Sequence, residues 1–128
     1  MAETFNPSVP IYLQLGERIK NRIIRGEIGV GERLPSVRDL AIASGVNPNT
    51  VQRTYRELEE EGIVEKRRGQ GTYVTENQEA LGRMRNELKK RHISAFVCEM
   101  NEMGYSEAEM LEGLKHYFDE NSTGEGRQ

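Results

Sequence analysis

Two short helical patterns meet at Gly45, and the few residues between them leave the chain little choice of path. The first covers 36–44. Ser36 and Asp39 have capping-box spacing, Pro35 precedes the cap, and Val37, Leu40 and Ala41 supply an apolar side. The second opens at Asn47, a good N-cap, with Pro48 at the first helical position, where a missing N–H costs nothing. Val51, Tyr55 and Leu58 are spaced four and three apart and share a face, and Gly62 ends the helix. Ala41 is small where the helices must approach, Gly45 can supply a positive φ, and Val51 plugs the angle between them. The spacing predicts a helix-turn-helix.

Helical geometry fixes what the second of these helices shows to solvent. At roughly 100° per residue, with Val51 at zero, Tyr55 and Leu58 fall within about 40° of it. Asn49, Gln52, Arg53 and Arg56 fall at roughly 100° to 200°, on the outer side. Asn and Gln can bond adenine in the major groove of DNA, Arg can bond guanine, and Thr50 can bond phosphate. The same face also fits an ordinary solvated helix, so its neighbours decide the reading.

Residues 63–75 read as a hairpin. Ile63 and Val64 begin one strand, Thr72, Tyr73 and Val74 have strand propensity, and Gly69-Gln70-Gly71 is the predicted turn. Arg67 and Arg68 stand near the tip, placed to attract phosphate or enter a narrow groove, and the glycines let backbone approach closely. No third glycine and no helix follow, so this is not a nucleotide-binding fingerprint. Before the helix-turn-helix, residues 10–26 predict a helix with Pro10 in its first turn. Ile11, Leu15, Ile19 and Ile23 form its apolar stripe, Gly26 ends it, and GEIGVGER follows as a glycine-rich turn. After the hairpin, 76–80 read as a linker and 81–103 as a long amphipathic helix stopped by Gly104. Ser106 and Glu109 cap a last helix near 107–119, and the end of the chain reads as a disordered tail, 121–128.

The net charge of −3 argues against a nucleic-acid partner until its distribution is considered. Residues 1–76 carry 11 basic and 11 acidic side chains, whereas 77–128 carry 7 and 10. Residues 46–56 and 66–75 hold Arg53, Arg56, Lys66, Arg67 and Arg68 without an acid. Local positive patches suffice, because phosphate attraction is short-ranged in salt. A single cysteine, Cys98, excludes an intramolecular disulfide and a cysteine-rich zinc site. His92 and His116 are isolated, so no metal or cofactor is expected, and the acidic run Glu57 to Glu61 reads as a solvated helix end rather than catalytic machinery. No apolar run approaches the ~18 residues of a membrane span. The N-terminus is neither basic nor apolar, which places the expected compartment in the cytoplasm.

The order PIYLQL, then LPSVRDLA, then GVNPNTVQRTYRELEEEGIVEKRRGQGTYV resembles the DNA-binding domain of GntR-type bacterial regulators over about residues 10–75. The resemblance implies a mainly α fold with a small β-hairpin wing, a winged helix-turn-helix over 1–76. It implies that Ser36 and Arg38 contact phosphate, that Asn47, Asn49, Thr50, Gln52 and Arg53 form the recognition surface, and that Arg68 and Gly69 sit at the wing tip. Arg33 and Arg56 join them on charge and geometry, with Arg67 and Gly71 beside the tip. Residues 77–128 are too short for an effector domain or a pyridoxal-phosphate-binding domain. Their two helices are similar to the tail of the YtrA subgroup, which serves dimerisation.

An amphipathic helix of this length needs a partner for its stripe. A homodimer is therefore expected, with Leu81, Met84, Leu88, Phe96, Met100, Met103, Leu111, Leu114 and Phe118 as contacts within 77–120; packing onto the chain's own N-terminal part is the alternative. A twofold dimer reads an inverted-repeat operator. The expected function is a non-enzymatic transcription regulator, a repressor on double-stranded DNA, with a small-molecule effector left open and a transporter operon as target. Two other classes remain: a winged-helix module that binds protein, and the N-terminal piece of an aminotransferase fusion, against which the capped tail argues.

Overall fold

A computed structural model describes residues 4–122. It comprises helices α1 (Ile11–Ile24), α2 (Val37–Ser44) and α3 (Pro48–Glu60), an antiparallel pair β1 (Val64–Arg67) and β2 (Gly71–Val74), and helices α4 (Gln78–Glu102) and α5 (Glu107–Glu120). The architecture is mainly helical with a two-stranded wing after the helix-turn-helix. Two compact units divide at Asn86 and Glu87.

In the first unit, α1 and α2 pack against α3. Leu15, Ile19 and Ile23 of α1, Leu40 and Ala41 of α2, and Val51, Tyr55 and Leu58 of α3 are buried. Each large aliphatic side chain removed from water contributes about 1.5–3 kcal/mol. Ile11, expected on the same stripe, is 41% exposed. It occupies the first residue of α1, where the stripe has run past the covered surface. Pro10 stands at the N-cap rather than inside the helix, with ψ at 136°. The first turn is instead braced by Gln14. Its amide nitrogen donates to the carbonyl oxygens of Asn6 and Val9 at 2.7 Å, and its Oε1 accepts from the Asn6 N–H at 2.8 Å.

The turn has the predicted construction. Ser36 Oγ accepts from the Asp39 N–H at 3.0 Å, and Gly45, at φ 71°, donates to the Ala41 carbonyl. Asn47 Oδ1 accepts from the Asn49 N–H at 2.7 Å to start α3. Buried Thr54 lies in the contact between α1 and α3. Its hydroxyl is 3.1 Å from the Tyr12 carbonyl oxygen and 3.0 Å from that of Thr50, and a side chain at Gly16 would lie 3.7 Å from its Cγ2.

The hairpin pairs Val64 with Val74 and Arg67 with Gly71, so Gly71 is the first residue of β2 and the turn is Arg68-Gly69-Gln70. The preceding glycine-rich stretch is more than a turn. Leu34 donates to Thr72 at 2.7 Å, Gly31 donates to Val74 at 3.1 Å, Val74 donates to Glu32 at 2.9 Å, and Arg33 bridges Tyr73. Residues 31–34 thus run antiparallel beside β2 and give the wing a third edge.

The expected linker is mostly helix. Asn77 Oδ1 accepts from the N–H groups of Glu79 and Ala80 at 2.9 and 3.2 Å and starts α4 at Gln78; Ala80 and Met84 are buried. In the second unit α4 ends at Gly104, φ 91°, with Tyr105 donating to the Met100 carbonyl. The capping box of α5 is complete: Glu109 N–H donates to Ser106 Oγ at 3.2 Å, and Ser106 N–H donates to Glu109 Oε1 at 2.8 Å. Met110 is buried, whereas Leu111, Leu114, Tyr117 and Phe118 are exposed. Of the expected tail, Asn121 and Ser122 close on α5 through the Tyr117 and Asp119 carbonyls, and 123–128 lie outside the described residues. No helix among the described residues is long and apolar enough to cross a membrane.

Candidate nucleic-acid interface

Helix α3 turns Val51, Tyr55 and Leu58 inward, which leaves Asn49, Gln52, Arg53 and Arg56 exposed on one side. Burial pushes the Tyr55 phenol well above its ordinary range, and its hydroxyl donates to the Pro35 carbonyl at 2.7 Å. This bond ties α3 to the residue preceding the cap of α2. Ser36, Arg38 and Arg33 are exposed there. Because Ser36 Oγ accepts the Asp39 N–H, its own proton is still available to a phosphate oxygen. Asn47 is exposed but commits Oδ1 to capping, leaving its amide N–H groups for an external acceptor. Thr50 is half-buried.

The wing side of α3 forms a cleft of about 350 Å³ lined by Val37, Gln52, Tyr55, Arg56, Glu59, Lys66 and Thr72. Lys66, part of the basic patch but not an expected contact, lies in this lining one strand position from Arg67. Gly69 has φ 73° and open space around it, and Arg68 is exposed beside it. Arg67 is half-buried. Its guanidinium carbon sits 4.1 Å from the centroid of the Tyr73 ring, and Glu65 is 3.8 Å away. Gly71 has φ 115°, and a side chain there would lie 2.9 Å from Arg33 Nε. The Arg33 side chain therefore lies against the first residue of β2, beside the wing tip, and links it to the start of α2.

Sequence reasoning also missed Tyr12. The Arg53 guanidinium carbon lies 3.8 Å from the centroid of its ring. Periodicity on α1 alone could not show this, because the partner is on another helix. Ile11, Tyr12, Asn49, Thr50 and Arg53 line a second cleft of about 410 Å³.

Of the expected dimer contacts, Met84 and Leu88 are buried in the single chain, and Leu81, Phe96 and Met100 are partly covered. Met103, Leu111, Leu114 and Phe118 are exposed.

The mainly helical fold with a two-stranded hairpin after the helix-turn-helix is shared with known regulators. The family profile described as "Bacterial regulatory proteins, gntR family" matches residues 11–74. The chain is 47% identical over 117 residues to the HTH-type transcriptional regulator YhcF of Bacillus subtilis, covering 91% of this chain and 97% of that one. It is 50% identical over 70 residues to the HTH-type transcriptional repressor YtrA of the same organism, covering 55% and 54%. The solved structure of a GntR family transcriptional regulator from Listeria monocytogenes superposes with a TM-score of 0.83 at 37% identity, over 88% of this chain and 98% of that one. The chain belongs to the GntR family of DNA-binding transcription regulators, and the match to YtrA supports its place beside that subgroup.

Proposed function

We propose that the protein is a homodimeric repressor that binds an inverted-repeat operator. Residues 1–76 make the DNA contacts, and residues 77–120 make the dimer. The observation that carries this reading is the exposed row Asn49, Gln52, Arg53 and Arg56, flanked on one side by a wing whose tip is open glycine. Helix α3 enters the major groove, where Asn49, Gln52 and Arg56 face base edges. Ser36, Arg38, Asn47 and Thr50 meet the backbone, and Arg67, Arg68, Gly69 and Gly71 carry the wing toward the flanking minor groove, with Arg33 bracing β2 beside the tip. The repressor named YtrA supports the sign of regulation.

The exposed apolar residues Met103, Leu111, Leu114 and Phe118 support pairing of tails, because leaving this much apolar surface in water is unfavourable. Met84 and Leu88, already buried, contribute to the chain's own packing before any partner arrives. The cytoplasm is the compartment, no catalytic step, cofactor or effector is assigned, and we place the operator ahead of a transporter operon on the family resemblance alone.

Fluorescence anisotropy tests this reading. The probe is a duplex from upstream of the protein's own gene, beside a scrambled duplex, at two salt concentrations and with Gln52→Ala. Tight binding to the native duplex that Gln52→Ala abolishes supports readout by α3. Absence of binding to either duplex at low salt sinks the DNA-binding role in favour of a protein partner.

A further inference from the structure

Helix α3 is bordered by two clefts of different make. The wing-side cleft includes an acid, Glu59, beside Arg56 and Lys66. The α1-side cleft is lined by Ile11, Tyr12, Asn49, Thr50 and Arg53 and has no carboxylate in its lining. We propose that the α1-side cleft is a seat for a DNA backbone phosphate, that Arg53 is its cation, and that Tyr12 is the positioning residue that holds the guanidinium there. The proposal rests on α3 docking in the major groove, as proposed above.

The direction of the Arg53 side chain carries the argument. At about 100° per residue, Asn49 and Arg56 lie within about 20° of each other at the centre of the exposed face. Gln52 lies about 40° from Arg56 toward the wing, and Arg53 about 60° from it on the other flank. The Arg53 guanidinium carbon lies 3.8 Å from the Tyr12 ring centroid, so the side chain bends sideways onto α1 instead of forward. An α-helix with its side chains is about 10–12 Å across and the major groove about 12 Å wide. A helix fitted there meets base edges with its central residues and the backbone walls with its flanks. A guanidinium lying on an aromatic face keeps its in-plane N–H groups for an acceptor, and their fork matches phosphate oxygens.

The platform is built into the core. Tyr12 and Gly16 stand one turn apart on α1, against the adjacent residues Arg53 and Thr54 of α3. The Thr54 hydroxyl lies 3.1 Å from the Tyr12 carbonyl oxygen, and its Cγ2 packs at ordinary contact distance over Gly16. The close approach of the helices therefore sets the ring under the guanidinium. The Thr50 hydroxyl, in the same lining, supplies a further donor.

The test separates a phosphate contact from a base contact. Wild type, Arg53→Ala, Tyr12→Leu and Tyr12→Phe are each used to select from a randomised duplex library. Salt dependence is then measured on the enriched duplex and on a shuffled one. A phosphate seat predicts that Arg53→Ala keeps the wild-type base preferences and weakens both duplexes by a similar factor. It also predicts that the salt slope falls by about 0.9 for each protomer bound. Tyr12→Leu, which keeps apolar bulk but loses the aromatic face, lowers the slope in the same direction, and Tyr12→Phe restores it. Loss of preference at one base pair with an unchanged slope in Arg53→Ala overturns the seat. A wild-type slope in Tyr12→Leu overturns the positioning role. Failure of wild type to enrich any sequence instead removes the specific-operator reading, while the slopes on the shuffled duplex still decide the seat.

Discussion

The Tyr55 hydroxyl on α3 reaches the Pro35 carbonyl oxygen at 2.7 Å and so fixes the recognition helix to the entrance of α2. Tyr55 is 7% exposed, and burial holds its phenol above the ordinary value of 10.0. Tyr55→Phe keeps the ring and loses the bond, so urea unfolding should show a loss of about 1 kcal/mol. The pH dependence has a definite sign. A phenol whose folded pKa is raised contributes stability that is full below pH ~10 and declines as pH rises above it. Wild type should therefore lose stability on alkaline titration faster than Tyr55→Phe.

The two wing glycines should differ. Gly69→Ala meets open space and bears only the strain of φ 73°, about 1–2 kcal/mol. Gly71→Ala adds a carbon 2.9 Å from Arg33 Nε at φ 115°, where L-residues rarely sit. Its thermal midpoint should fall further than that of Gly69→Ala, and displacement of Arg33 should weaken DNA binding beyond the stability loss. Paired melting and anisotropy measurements check both.

Replacement of the α4 cap should be felt in the first unit. Asn77→Ala removes the acceptor for Glu79 and Ala80, at a cost of about 1 kcal/mol. Asn77→Asp should retain stability, because a carboxylate accepts the same N–H groups. Chemical denaturation of the three proteins tests the cap directly.

The exposed face of α5 offers a test of association. Leu114 and Phe118 are 38% and 54% exposed, whereas Met110 is 6% exposed. Phe118→Asp should shift sedimentation toward monomer with helical content retained. A wild-type sedimentation profile for Phe118→Asp and for Leu114→Asp alike would remove this face from the dimer.

The helix-turn-helix was legible because its determinants are local. Ser36, Gly45 and Asn47 act on residues within one helical turn, and Val51 to Leu58 declare a face by spacing alone. The start of α4 was equally local, yet the polar run Glu76 to Glu79 resembled a linker and masked the cap at Asn77. Non-local pairings left no such mark. Glycines at 29 and 31 obscure strand alternation, so the bonds of Gly31, Glu32 and Leu34 to β2 depend on the folded wing. The Tyr12–Arg53 stack likewise needs α1 laid on α3. Along the tail, periodicity distinguishes an apolar side but not what covers it, so Met84 and Leu88 read like Leu111 and Phe118 although only the first two are buried in the single chain.

The pairing of residues 31–34 with β2 has a mechanical consequence. A lone two-stranded ribbon bends easily, being marginal without a third strand. Here the ribbon is fastened by Leu34 and Arg33 to the stretch that continues through Pro35 into the cap of α2. A load on the glycine tip is therefore passed along the edge strand to Ser36 and, through the Tyr55 hydroxyl at Pro35, to α3. The wing is thus joined as a lever to the entrance of the helix-turn-helix, so that displacement of its tip would be felt at α3.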